Sequence, residues 1–455
     1  MKSTFKTLAG NTVIFAIGNS VSLLLAFIMV PFYTKMLSPS DFGISDIITT
    51  TTAMLVPLMS LNVFAAIFRF ALDDDNHDEI FTNGLIISII GGTISIIAAI
   101  ALSFFNIKYA TMVGIYIALT LFMNLFQNFT RGINHVKSFA LSGIIATLTN
   151  IGSNILLMWV FKLGLNGYLI SLLISTIITS IFLFINNKLY NYISFKKTSI
   201  SSTKYLLKYS IPMIPNSFAW WLTNDANKII ILLFLGPSAN GIMAVANKIP
   251  SLINTLFGMF ANAWQMTAVK EDGKDETSKL YTITFNVIFG SLFVGSAIIV
   301  NLIQWFMSFY VSPQFFSAWK IVPILLVTAI FSNMSAFFGT TYLVAKQTKG
   351  LFTTTVWGTI INIALSSILI PIVGLNGAGI SGATGFLIVS VLRFIQTKHI
   401  ISFKINIKFL ILISLLYATT SIFAIIQINF VSIITTALML IVLLINTINL
   451  LKAKI

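Results

Sequence analysis

The sequence has no cysteine, three histidines and twelve acidic residues in 455 positions. Without cysteine there is no disulfide framework and no thiolate metal site. So few histidines and carboxylates leave little for metalloenzyme chemistry. Charged residues make up 9% of the chain, against roughly 25% in a soluble domain, too few to cover a water-facing surface. Paired carboxylates, a nucleophile elbow and a Walker loop are also missing. An ATP-driven pump would therefore need a separate subunit for its ATPase. A cleavable signal peptide is not expected either. The first apolar run, 8–34, is too long for one and lacks a small-residue cleavage site.

What is present is hydrophobic, at 57% of residues. A spanning helix needs roughly 20 mostly apolar residues. Such runs lie near 8–34, 44–68, 81–105, 109–131, 138–161, 168–188, 209–235, 240–268, 281–311, 320–345, 351–372, 377–397, 408–426 and 430–450. The pattern predicts an all-α integral membrane protein of about 14 transmembrane helices. Two pairs are fused without an intervening charge and are split at Pro371–Gly379 and Gln427–Asn429. As one helix, Gly350–Leu392 would be about 65 Å long, twice the bilayer core.

The net charge of +15 reads as a topology signal. Lysine and arginine concentrate in alternate loops, from Lys2 and Lys6 through Lys188–Lys208 to Arg393–Lys408 and Lys452. By the positive-inside rule these loops face the cytoplasm, with both termini inside. Nucleic acid need not be invoked. The longest loop, Lys188–Lys208, is basic and serine-rich and reads as a linker between halves.

An internal repeat supports two halves. Leu37-Ser38-Pro39-Ser40-Asp41-Phe42-Gly43-Ile44 recurs as Leu235-Gly236-Pro237-Ser238-Ala239-Asn240-Gly241-Ile242. Gly164-Leu165-Asn166-Gly167 recurs as Gly374-Leu375-Asn376-Gly377. Both pairs are displaced by six helices, an even number, so the halves are parallel repeats. The expected domains are an N-terminal lobe of spans 1–6 (1–195), a C-terminal lobe of spans 7–12 (196–400) and an appended helix pair (401–455).

Residues 377–382 match a dinucleotide-binding fingerprint, Gly-Ala-Gly-Ile-Ser-Gly. That motif needs a preceding strand. At a junction between two spans it reads instead as a tight turn and close helix packing.

Charges inside spans are the informative ones, because each costs roughly 2.5–3.5 kcal/mol at a helix centre. Asp225, Lys228 and Lys248 stand out. Lys228 follows Asp225 at i+3, on the same face. Ser217, Trp221 and Asn224 continue that stripe, and Asn247, Ser251 and Asn254 accompany Lys248. Together they suggest a cationic, hydrated cavity for an anionic group. The competing reading is a local Asp225–Lys228 pair that stabilises packing, with Lys228 snorkelling outward. Arg69 and Arg131 sit at inner helix ends, as anchors or at the cavity mouth, and Asn124 and Asn128 share a face with Arg131. Asn62, Asn150, Asn154, Asn333 and Asn362 read as interhelical hydrogen-bonding residues. Prolines 31, 57, 212, 215, 250, 323 and 371 are expected to bend or break helices, though Pro212 and Pro215 could simply start span seven.

Several segments resemble the polysaccharide transporter branch of the multidrug/oligosaccharidyl-lipid/polysaccharide (MOP) exporter superfamily, the O-antigen flippases above all. They are Phe32–Gly43, Ser210–Leu222 and Ile229–Lys248. The resemblance implies a MATE-like fold of two six-helix lobes around a central cavity, working by alternating access. It implies a substrate of oligosaccharide joined by pyrophosphate to undecaprenol, polysaccharide polymerase machinery as a partner, no cofactor, and the bacterial inner membrane. Its basic cavity residues fall most naturally on Lys228 and Lys248, with Arg69 and Arg131 less directly matched. The departure is Asp225, which could neutralise Lys228 or bind a coupling ion. Two alternatives are a cation-coupled drug or metabolite exporter of the same superfamily and a membrane polysaccharide polymerase or ligase. The first would favour acidic cavity residues. The second would favour a large external loop.

Overall fold

The computed structural model describes residues 24–72, 76–270, 277–344, 349–398, 400–401 and 403–452, and every regular element among them is helical. In chain order these are α1 (Val30–Met36), α2 (Pro39–Met59), α3 (Val63–Ala71), α4 (His77–Phe104), α5 (Ala110–Gly132), α6 (Val136–Asn154), α7 (Gly164–Asn186) and α8 (Ile200–Ser210). There follow α9 (Ile214–Ala246), α10 (Lys248–Lys270), α11 (Thr277–Tyr310), α12 (Val322–Val344), α13 (Lys349–Val373), α14 (Leu375–Thr397), α15 (Ile407–Ile425) and α16 (Asn429–Lys452). The chain divides into two compact units, Met1–Asn224 and Asp225–Ile455.

Twelve of the described helices are long and apolar enough to span a membrane, so the chain is a multi-pass membrane protein. The expected count of fourteen is not reproduced. Most of the first run lies outside the described residues, and its described part, Leu24–Met36, is short. The backbone turns at Gly236 (φ 80°, ψ 178°), between the seventh and eighth runs, so α9 is two helices joined at a kink. The eighth run is itself interrupted at Asn247, before α10. Lys248, Asn254, Asn262 and Gln265 make α10 too polar for the membrane-spanning set.

The second run is also broken. α2 ends at Met59, and Leu61 and Asn62 are left-handed (φ 50° and 54°). Asn62 N–H closes the end on the Pro57 carbonyl at 2.8 Å. Asparagine tolerates this conformation better than most residues. The chain restarts as α3, whose Val63, Ala66 and Ile67 are fully buried and pack with Phe81, Leu121, Leu125 and Phe129. Most of the prolines initiate helices. Pro31, Pro39 and Pro215 occupy the first two positions of theirs, where a missing N–H costs nothing.

The Gly-Leu-Asn-Gly motif shares local features in its two copies, whereas Ser38 and Gly236 of the other pair differ in φ, −70° and 80°. Gly164 and Gly374 both have positive φ, 53° and 66°, and each precedes or opens a helix. Ser171 and Ser381 each donate to the carbonyl four residues back, on Gly167 and Gly377. The 377–382 glycines are packing positions. A Cβ on Gly377 would lie 2.5 Å from the Leu369 carbonyl, and one on Gly379 2.6 Å from Ile324. No strand precedes them among the described residues, so the nucleotide fingerprint has no context.

In the second unit, α15 and α16 are integrated with α11. Asn301 Nδ2 donates to Thr436 Oγ1 at 2.8 Å, and Ser432 Oγ donates to Asn301 Oδ1 at 2.6 Å. Asn406 Nδ2 meets Asn446 Oδ1 at 2.8 Å.

The supposed linker is a docked segment. Residues 189–210 form two short 3₁₀ turns and α8. Ser194 N–H and the Tyr192 carbonyl both engage Thr82 Oγ1, at 2.9 and 3.1 Å. Lys197 pairs with Asp78 at 2.7 Å. Leu189 and Leu206 are buried in the first unit's core. Its polar composition suggested a linker, and its serine and threonine side chains exchange hydrogen bonds with α4.

Candidate functional site

Asp225 and Lys228 form an ion pair on one face of α9, Nζ to Oδ1 3.0 Å, with side chains 25% and 23% exposed. The i,i+3 spacing brings them together, as a helix requires. A local pair therefore exists, and both groups keep partial access. Lys248 is half-buried as the first residue of α10, just past the Asn247 break. Asn247 N–H still bonds the Met243 carbonyl at 2.9 Å, and Ser251 N–H bonds the Asn247 carbonyl at 3.1 Å. Nearby Asn254 accepts from Asn333 Nδ2 at 3.1 Å.

The remaining candidates belong to the first unit. Asn224 is exposed on α9, one residue before the division. Trp221 of the same stripe is buried, and its indole N–H donates to the Thr50 carbonyl at 3.1 Å. Asn62 Nδ2 reaches Ser217 Oγ at 3.5 Å. Arg69 and Arg131 lie in the last turns of α3 and α5, both exposed. The Arg131 guanidinium stacks 4.1 Å over the Phe68 ring, a cation–π contact that fixes its direction. Asn124 and Asn128 each donate to a carbonyl of their own helix, at 3.0 and 2.9 Å.

Three polar features went unread in the sequence. Asn227, one residue before Lys228, knits α9 to α13 and α14. Ser366 Oγ donates to Asn227 Oδ1 at 2.8 Å, and Asn227 Nδ2 reaches Asn362 Oδ1 at 3.3 Å and the Ala378 carbonyl at 3.5 Å. The rule that singled out Asn362, an amide within an apolar run, would have found Asn227 too. Asp46, in the second turn of α2, lies within electrostatic reach of Tyr168. Tyr168 packs edge-on against Tyr33, whose hydroxyl accepts from Asn154 Nδ2 at 3.1 Å. The rule that flagged Asp225, a carboxylate within an apolar run, would have found Asp46.

The third is Arg393. Its placement among loop cations is corrected by the structure. It lies inside α14, 7% exposed. Nη1 donates to the Ser335 carbonyl at 2.7 Å, Nη2 to Thr355 Oγ1 at 2.8 Å and Nε to Thr354 Oγ1 at 3.1 Å. Nearness to a helix end made it look like an anchor. The hydroxyls and carbonyl of α12 and α13 hold it inside instead.

The described residues contain no group of three or more metal-ligating side chains. Within the membrane-facing runs of α9 and α10 the second unit thus carries Asp225, Lys228 and Lys248, and the first two are paired.

A family model described as "Polysaccharide biosynthesis protein" matches residues 8–265, more than half of the chain. The chain belongs to that family. No curated protein matches it. Among solved structures, an inward-facing multidrug resistance MATE family transporter of the MOP superfamily aligns at TM-score 0.68 and 18% identity, over 84% of this chain and 94% of that one. The lipid II flippase MurJ, in an inward closed conformation, aligns at TM-score 0.65 and 14% identity, over 94% and 98%. A MOP superfamily transporter from Pyrococcus furiosus, described as having reversed binding-pocket polarity, aligns at 0.59 and 18%, over 86% and 94%. The fold is thus that of MOP superfamily transporters, as the sequence resemblance implied.

Proposed function

We propose that this member of the polysaccharide biosynthesis protein family is a flippase. It carries an undecaprenyl-pyrophosphate-linked oligosaccharide, an O-antigen or similar repeat unit, from the inner to the outer leaflet of the bacterial cytoplasmic membrane by alternating access. The family match across residues 8–265 carries this reading. Likeness in fold to a lipid II flippase supports it. The proposed organisation keeps two six-helix lobes followed by the α15–α16 pair, with both termini cytoplasmic and polymerase machinery as a downstream partner.

Physical chemistry supports the substrate class. A pyrophosphate cannot enter hydrocarbon unshielded, whereas its prenyl tail can stay in lipid. Lys228 and Lys248 are the proposed phosphate-binding cations. Asn224 and Asn247 are proposed as neighbouring polar contacts, and Arg69 and Arg131 as cations at the cytoplasmic entrance. Asp225 is proposed to hold Lys228 at 3.0 Å until an anion competes for it. Its alternative role is to take up a coupling proton or sodium ion, which would favour the exporter reading.

The test is complementation of a strain blocked in surface-polysaccharide export. The deletion should accumulate lipid-linked oligosaccharide on the inner leaflet, and the wild-type chain should relieve it. Full export by both Lys228→Ala and Lys248→Ala at normal expression would defeat the cationic site. Normal surface polysaccharide in the deletion would defeat the flippase reading itself.

A further inference from the structure

The docked segment between α7 and α9 has a second face. In α8 the inward stripe is Ser202, Thr203, Leu206 and Ser210. Asn83 Nδ2 donates to Ser202 Oγ at 3.0 Å, Thr203 Oγ1 donates back to Asn83 Oδ1 at 2.9 Å, and Leu206 is 1% exposed. The outward stripe recurs every four residues. Ile200, Lys204 and Lys208 form one row, and Tyr205 and Tyr209 form the next, all exposed. Ile200 is 78% exposed and Tyr205 58%, although both tyrosines lean on Phe70.

The segment's own charges have one sign, and the acidic groups against it are Asp78 and Glu79 of α4, the latter accepting from Ser199 Oγ at 3.2 Å. From 187 to 213 there are five lysines and no acidic residue. Lys197 is engaged by Asp78 on α4. Lys188, Lys196, Lys204 and Lys208 are exposed. Two helices that can span a membrane flank the segment, ending at Asn186 and resuming by Trp221, which keeps it at the membrane surface.

We propose that the outward face of α8 and the Lys196 turn bind anionic phospholipid headgroups. Lysine interleaved with tyrosine and isoleucine on one stripe of an interfacial helix is the pattern that meets a negatively charged leaflet. The apolar side chains enter the headgroup boundary and the ammonium groups meet phosphates. The inward stripe passes this hold to α4, so the leaflet grips the core of the first unit. The inference is independent of the transported substrate.

The lack of cysteine makes the test direct. Ser201→Cys, on the open face, is labelled with a polarity-sensitive fluorophore. The full chain is then placed in nanodiscs of phosphatidylcholine alone or rich in phosphatidylglycerol, with no other protein. The emission should shift to the blue in anionic discs, and high salt should reverse the shift. A Lys196→Gln/Lys204→Gln/Lys208→Gln variant, which keeps the Lys197–Asp78 pair, should lose the shift and melt at the wild-type temperature. Equal emission in both lipids overturns the proposal, and so does an anionic shift that the triple variant retains. A shift that needs an added acidic protein also overturns it and assigns the face to a protein partner.

Discussion

Arg393 and Lys228 are both cations on helices that span the membrane, and the second unit treats them oppositely. Arg393 is 7% exposed, and its planar fork is held by oxygens of two neighbouring helices. Lys228 is 23% exposed, and its ion pair is with Asp225 on its own helix. An arginine held by neutral, fixed oxygens joins helices. A lysine held by a carboxylate one turn away joins none through that pair, and an incoming anion can compete for it. An intramembrane charge is therefore evidence of function only once its partners are known.

Substitutions can break this contrast, and the largest effect should come from Arg393→Ala. It strands oxygens arranged for a guanidinium and should cost roughly 3 kcal/mol, at about 1.5–3 kcal/mol per charged hydrogen bond reduced by the weaker net gain in membranes. Thermal unfolding in detergent should show a clear loss, with Arg393→Lys only partly restoring it because an ammonium cannot reproduce the fork. An unchanged melting temperature would mean that the network holds nothing.

Gly377→Val tests packing rather than polarity in the same helix. Its Cβ would meet Leu369 backbone at 2.5 Å, and backbone yields poorly, so about 1–3 kcal/mol should be lost by the same assay. Asn301→Ala removes a bridge to Ser432 and Thr436 on α16. A membrane hydrogen-bonding residue of this kind should lower stability by roughly 1 kcal/mol, read as a small shift of the urea midpoint.

Lys228→Ala should do least to stability, about 0.5 kcal/mol or less for a same-helix pair. Its export, followed by surface polysaccharide per unit of expressed protein, should fall at least roughly tenfold, equivalent to about 1.4 kcal/mol of lost substrate stabilisation. Were Lys228→Ala to destabilise as strongly as Arg393→Ala while sparing export, the contrast between the two cations would be inverted.

The repeated motifs predicted a doubled plan, and in one of them Gly164 and Gly374 share a positive φ. Asp225 beside Lys228 was legible because helical spacing is a local property. Arg393 was not, because its partners Thr354 and Ser335 lie 39 and 58 positions away. The partners of Asn227 were hidden likewise, with Ser366 139 positions away. The 188–208 segment read as a linker from its composition, and its docking was not legible because Thr82, Asn83 and Asp78 lie more than a hundred positions away.

Sequence by itself determined that the chain lies in a membrane and where most of its helices run. Hydropathy and spacing are sums over neighbouring residues, and the bilayer leaves helices as the structure such runs can adopt. Tertiary structure decided which polar groups are tied and which stay accessible. That choice depends on hydrogen-bond partners brought together from distant helices, and no local pattern encodes it.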